Sequence, residues 1–208
     1  MNEESFKSLL SATAIVLTFA GYAPYIRDLI KQKIRPHIFS WLVWAIVTAV
    51  IFALQISAGG GPGAYVTLAV AVLIVVVFLL SLRNGDRDIK RVDVVFLIAA
   101  LLCIPLWLVV EQPVLSIIVL STVDMLGFAP TIRKSWNDPY SETLSLYVIT
   151  AFRHVLSVLA LSEYNIVTML FPFTWVFANA AFAVMLIARR RAVLKLGIGT
   201  LPRSFDLP

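Results

Sequence analysis

Seven runs of mostly apolar residues follow one another along the chain, each close to the roughly 20 residues a helix needs to cross a bilayer core. They read as 9–30, 37–57, 64–82, 92–110, 113–133, 142–161 and 165–188. Inside hydrocarbon every backbone N–H and C=O must be satisfied within the segment, so runs of this length are expected as helices. The breaks between them carry turn chemistry: AGGGPG at 58–63, RNGDRDIKR at 83–91 and EQP at 111–113. SWNDPYSE at 135–142 ends in Ser141–Glu142, a helix-start signal for the sixth run. Only 14% of the residues are charged and 60% are hydrophobic, against about 25% charged in an average soluble domain. The expected fold class is an all-α integral membrane protein with seven transmembrane helices.

The positions of Lys and Arg orient it. Arg27, Lys31, Lys33 and Arg35 follow the first span, and Arg83, Arg87, Lys90 and Arg91 follow the third. Arg133 and Lys134 follow the fifth; Arg189, Arg190, Arg191, Lys195 and Arg203 follow the seventh. Fifteen of the 17 basic residues thus fall on one side, with Lys7 opposite and Arg153 inside a span. Cytoplasmic loops collect Lys and Arg. The N-terminus is therefore expected outside and the C-terminus in the cytoplasm, across a membrane of the bacterial inner-membrane type. The net charge of +5 marks topology and contact with anionic lipid, not a nucleic-acid face. The start, MNEESFK, is acidic and no small-residue cleavage site follows, so the first span is expected to stay in the chain.

One phrase is written twice. GYAPYIR at 21–27 and GFAPTIR at 127–133 share five of seven letters, 106 residues apart. Spans one to three then match spans five to seven in order and direction, with the fourth unmatched. The expected organisation is a first three-helix repeat (9–82), a linker carrying helix four (83–111), a second repeat (112–188) and a cytoplasmic basic tail (189–208). An odd linker makes the repeats parallel, an arrangement that puts substrate sites near the bilayer midplane between them. Pro24 and Pro130 each remove a helix hydrogen bond and bend the helix. Gly21 and Gly127 allow a neighbour close approach. These four residues are expected as a hinge in each half, with a static packing bend as the alternative.

Three helices, a linker and three helices, with a Pro phrase near the cytoplasmic ends of spans one and five, resemble the PQ-loop/SWEET (MtN3-like) transporter superfamily. The bacterial nicotinamide-riboside uptake transporters share that architecture. The resemblance covers 9–188. The family's Pro-Gln pair stands here as Pro24–Tyr25 and Pro130–Thr131. The Asn that SWEET-type transporters carry in the helix corresponding to seven is matched by Asn179, while 64–82 has none. WLVWAIVT at 41–48 has the form of the riboside transporters' WxxW motif, with Thr48 as its polar residue, but lies in the first half. The resemblance implies a transporter; it does not name the solute.

Aligned on the repeated phrase, Thr18 falls opposite Asp124; aligned on Ser40 and Ser145, Thr48 falls opposite Arg153. Asp124 and Arg153 should lie near the midplane, where a charge is costly and faces inward. They are expected to face each other, either as a structural ion pair or as the binding site. His154 reads as a satisfied structural histidine. Trp175 and Asn179 share a face of the seventh span one turn past Pro172. Trp41 fits the interfacial aromatic belt, and Trp44, a turn deeper, is expected to wall the cavity. The substrate-binding set is therefore Asp124, Arg153, Asn179, Trp175, Trp44, Thr48 and Thr18.

Enzymatic patterns do not stand out. The two His lack metal-ligand spacing, AGGGPG lacks the Lys of a phosphate loop, and the single Cys103 reads as a packing residue. No metal and no cofactor are expected. The expected function is a facilitator or proton-linked transporter of a small polar solute. The alternative is a membrane ligand sensor or partner-binding subunit on the same scaffold. The expected partners are the solute and the bilayer, with a homo-oligomer left open.

Overall fold

The computed structural model describes residues 2–32, 36–85, 87, 89, 91–128, 132, 135–137, 139–140, 142 and 144–195. The described chain is all-α. Its long helices are α1 (Glu3–Ile30), α2 (Ile38–Ser57), α3 (Gly61–Asn84), α4 (Arg91–Leu108), α5 (Pro113–Leu126), α6 (Leu144–Leu159) and α7 (Ile166–Lys195). A short eighth helical stretch, not anticipated by hydropathy, occupies 135–137. Four stretches are long and apolar enough to cross a membrane: Glu3–Ile30, Ile38–Ser57, Gly61–Arg83 and Ile166–Leu194. The outside of the bundle carries large apolar side chains such as Val16, Leu79, Leu102 and Val184, each at least half exposed. That surface suits a chain embedded in lipid, where an apolar exterior has no cost.

Helix ends depart from the hydropathy reading where capping decides. α1 begins at Glu3 because the Asn2 side chain accepts from Ser5 N–H at 2.9 Å and Glu3 and Glu4 sit at the positive end of the dipole. α5 does not run to 133: it ends at Leu126, with Gly127 as its C-cap. α6 starts at Leu144, so Glu142 precedes it. α7 continues to Lys195 and overruns the expected 189–208 tail. Its Arg-rich end suits a helix C-terminus and holds the short stretch before α6. Arg189 donates to the Trp136 carbonyl at 2.9 Å, and Arg190 to those of Pro139 and Glu142 at 2.9 and 2.7 Å. Both guanidinium groups also lie over aromatic rings, Trp136 at 4.9 Å and Tyr140 at 5.1 Å.

α3 packs against both α1 and α2, and α7 against both α5 and α6. Between these groups, α1 and α3 meet α6, and α2 meets α5 and α7; α4 leans on α5 and α2. The main core cluster joins α2, α4, α5 and α7 around Ile51, Leu54, Ile117 and Leu120, and it takes in Cys103. Small polar side chains tie helices to backbone carbonyls. Ser157 donates to Gly63 O at 3.0 Å, Ser116 to Cys103 O at 3.2 Å and Gln55 to Thr168 O at 3.0 Å. Gly63 has to be glycine: a Cβ there would lie 2.5 Å from Ser157 O.

At one end the α2–α3 and α6–α7 turns are stitched together. Ser162 N–H donates to Gly60 O and Glu163 N–H to Gly59 O, both at 3.2 Å, and Gly63 N–H to Ala160 O at 2.9 Å. Asn165 adds a side-chain bond to Ala58 O at 3.0 Å. The positive φ of Gly59 (81°) and Gly61 (56°) lets the first turn fold against the second. Lys7, near the start of α1, lies over Tyr164 at this same end and pairs with Glu3 at 2.7 Å.

Candidate functional site

A cavity of about 310 Å³ runs between the helices away from the stitched end. Every residue of the expected binding set except Thr18 lines it: Asp124, Arg153, Asn179, Trp175, Trp44 and Thr48. Thr18 is buried elsewhere, and its hydroxyl donates back to Ala14 O at 2.8 Å. Of the expected hinge residues, Gly21 and Gly127 line the cavity, and Pro24 does not. α1 passes unbroken through Pro24. Pro130 lies outside the described residues.

The two halves deliver their residues by the same helical arithmetic. α2 presents Trp41, Trp44 and Thr48, and α7 presents Phe171, Trp175 and Asn179, steps of three or four that keep one face inward. α6 brings Leu146, Thr150 and Arg153 on a comparable stripe. Gly21 and Gly127 both face the cavity, followed in each half by an aromatic ring, Tyr22 or Phe128. The two glycines nevertheless do different work. The indole nitrogen of Trp44 sits 2.8 Å from where a Gly127 Cβ would be, so Gly127 admits Trp44 to the cavity wall. At Gly21 the nearest neighbour, Leu146 Cδ1, is 3.6 Å away, an ordinary contact.

Asp124 and Arg153 do not pair. Asp124 Oδ2 instead accepts from Trp175 Nε1 at 2.7 Å. Arg153 is buried, makes no hydrogen bond or ion pair with the described residues, and its Nη1 is buried without an acceptor. The expectation that they face each other as an ion pair is therefore corrected. The helix-to-helix bond is made by Asp124 with the indole of α7, which leaves the guanidinium to the cavity. Asn179 donates back to Trp175 O at 2.8 Å, which leaves its second N–H and its amide oxygen for other partners.

His154, which reads from the sequence as a satisfied structural histidine, also lines the cavity. Its ring stands edge-on to Phe171 at 6.1 Å and parallel to Trp175, 14° between planes at 6.5 Å. Trp41 also lines the cavity and is not confined to an interfacial belt. It meets Tyr25 at 5.4 Å and Trp44 edge-on at 5.3 Å. Tyr22, Tyr25, Phe128, Tyr147 and Glu142 complete the wall toward the end that carries residues 135–142, with the Tyr147 hydroxyl donating to Glu142 Oε2 at 2.8 Å. Sequence reasoning passed over these aromatics because a lipid-facing and a cavity-facing ring look alike in hydropathy. The one available sign was that Tyr22 and Phe128 occupy the same place in the repeated phrase.

The site is thus an aromatic-walled chamber with two carboxylates already bonded, one guanidinium unbonded among the described residues and a few hydroxyl and amide groups. Ligand sites of small-molecule proteins have this make-up, apolar walls with few placed polar groups. No family model matches the chain, and neither a curated protein nor a solved structure matches it.

Proposed function

We propose that the chain is a transporter of a small polar solute, working as a facilitator or linked to protons, with its site between two parallel three-helix repeats. In this reading α1–α3 and α5–α7 are the repeats, α4 is the linker, and the plan is that of the PQ-loop/SWEET superfamily. The membrane in this reading is of the bacterial inner-membrane type, and the Lys/Arg bias supports an N-terminus outside and a C-terminus in the cytoplasm. Exchanging α1 with α5, α2 with α6 and α3 with α7 maps the helix contacts onto one another. The α1–α3 contact becomes α5–α7, α2–α3 becomes α6–α7, α1–α6 becomes α5–α2, and α3–α6 becomes α7–α2. Among the stronger helix contacts of the described residues, those of α4 have no image, which supports its reading as the linker.

The observation that carries the proposal is the lining of the cavity. All six exchanged helices contribute to it, and no described side chain of α4 lines it. A chamber on the axis between parallel repeats is where rocking of one unit against the other exposes a bound solute to either side. A thermal-shift screen of small polar solutes on purified protein, followed by counterflow of each stabilising solute in proteoliposomes, tests the reading. Saturable counterflow is expected. Solutes that bind without any flux would sink transport in favour of a sensor.

A further inference from the structure

We infer that the cavity takes a small organic carboxylate with a flat, apolar body, and that Arg153 is the group that binds its carboxylate. Arg153 is the one guanidinium or ammonium group among the cavity's described residues. It sits 6% exposed in the middle of α6, and its Nη1 is buried with no acceptor. The carboxylates along the same wall are engaged elsewhere: Asp124 takes the Trp175 indole N–H at 2.7 Å, and Glu142 takes the Tyr147 hydroxyl at 2.8 Å. Both acids thus accept from neutral donors, and the buried cation has no ion-pair partner among the described residues. An unpaired charge in a low-dielectric setting is a standing demand for an anion. A guanidinium meets a carboxylate as a planar fork, with two parallel N–H···O bonds.

The walls decide the rest of the molecule. His154, next to Arg153 in the chain, lies parallel to Trp175, and Trp44 and Tyr22 add flat faces. Rings of this kind favour a planar body. The volume, about 310 Å³, lies at the small end of the roughly 300–1,000 Å³ range of ligand sites, so the solute is about the size of one substituted ring. The inference rests on the cavity being the solute site; its binding arm does not depend on turnover.

Three near-isosteric probes separate charge from shape: benzoate, benzamide and benzylammonium. Binding to the detergent-purified full chain is followed by quenching of tryptophan fluorescence and by calorimetry. Benzoate is expected to bind at least tenfold more tightly than benzamide, and benzylammonium more weakly than either. Arg153→Gln, checked for folding by its melting curve, should lose at least tenfold in benzoate affinity, and Arg153→Lys should keep part of it. A preference for benzylammonium, affinity for benzoate unchanged in Arg153→Gln, or no binding of any probe would each overturn the inference. The wild-type selectivity series stands even if a variant fails to fold. Labelled benzoate in proteoliposomes then separates the two readings. Binding without counterflow defeats transport but leaves the anion site. Counterflow of an uncharged solute by a protein that ignores benzoate defeats the anion site but leaves transport.

Discussion

Replacing each glycine of the repeated phrase by alanine should move stability in opposite directions. Gly21 lies within α1, and its Cβ site has only an ordinary contact at 3.6 Å. Alanine in a helix interior is better than glycine by about 0.5–1 kcal/mol, so Gly21→Ala should stabilise by that amount. Gly127 has φ −62° and ψ −20°, which alanine adopts without strain. Its Cβ, however, would stand 2.8 Å from Trp44 Nε1 and 3.3 Å from Trp44 Cε2. Trp44 is a rigid ring braced edge-on by Trp41 at 5.3 Å, so it cannot yield at a flexible tip. Overpacking of this kind costs about 1–3 kcal/mol. The two variants should differ by about 1.5–4 kcal/mol. At about 2–4 °C per kcal/mol for a chain of this size, they should melt about 3–16 °C apart in the same detergent. Tryptophan fluorescence melting measures this and reports the displacement of Trp44. Equal shifts of the same sign would refute the assignment of different roles to the two glycines.

Other outcomes follow from the same geometry. Because Asp124 and Arg153 form no ion pair yet line one cavity, a double-mutant cycle of Asp124→Asn and Arg153→Gln should show coupling by melting below about 3 kcal/mol, where the cost of breaking a buried pair begins; coupling above that would restore the ion pair. Trp175→Phe removes the indole donor to Asp124 and should destabilise by about 1.5–3 kcal/mol, as for a hydrogen bond to a charged group, a loss that a melting curve detects; no loss would mean that this bond does not hold α5 to α7. Pro24→Ala, which returns a hydrogen bond to α1, should raise the melting temperature and, if Pro24 acts as a hinge, lower flux; flux unchanged would leave Pro24 a static bend. Cysteine at exposed Ser162 should react with an impermeant thiol reagent from outside cells and cysteine at exposed Ile89 should not; the reverse pattern would invert the orientation.

Hydropathy made the helical segments legible because each carries its apolar character in a continuous run, but among the described residues four of them, not seven, are long and apolar enough to cross a membrane. Their ends were less legible. Hydropathy cannot see that Asn2 caps α1, that α5 stops at Gly127, or that Arg189–Arg191 continue α7 as a helix. The polar half of the site was readable for a simple reason: Asp124, Arg153 and Asn179 are costly in a span and therefore conspicuous. Their partners were not readable. Depth along two helices brings Asp124 and Arg153 to one level, but only the rotation of each helix decides that an indole reaches the carboxylate first. Thr18 shows the same limit: its alignment with Asp124 is sound in register, yet a threonine in a helix can satisfy itself on the turn behind it.

The stitched end gives the molecule an energetic asymmetry. Three main-chain bonds and one from Asn165 join residues 58–63 to 160–165. A net hydrogen bond is worth about 0.5–1.5 kcal/mol, so parting that end costs about 2–6 kcal/mol for the four together. The parted form would then be populated at roughly one part in 30 to one part in 20,000 at rest. A solute that bound both forms equally would leave those populations where they stand; only one that prefers the parted form by a comparable margin can bring it forward. Because three of the four bonds join backbone to backbone, the resting ratio is written in chain geometry. Side-chain substitution at Ala160, Ser162 or Glu163 would tune it weakly, while a side chain at Gly59 or Gly63, or one added or deleted residue in either turn, would reset it.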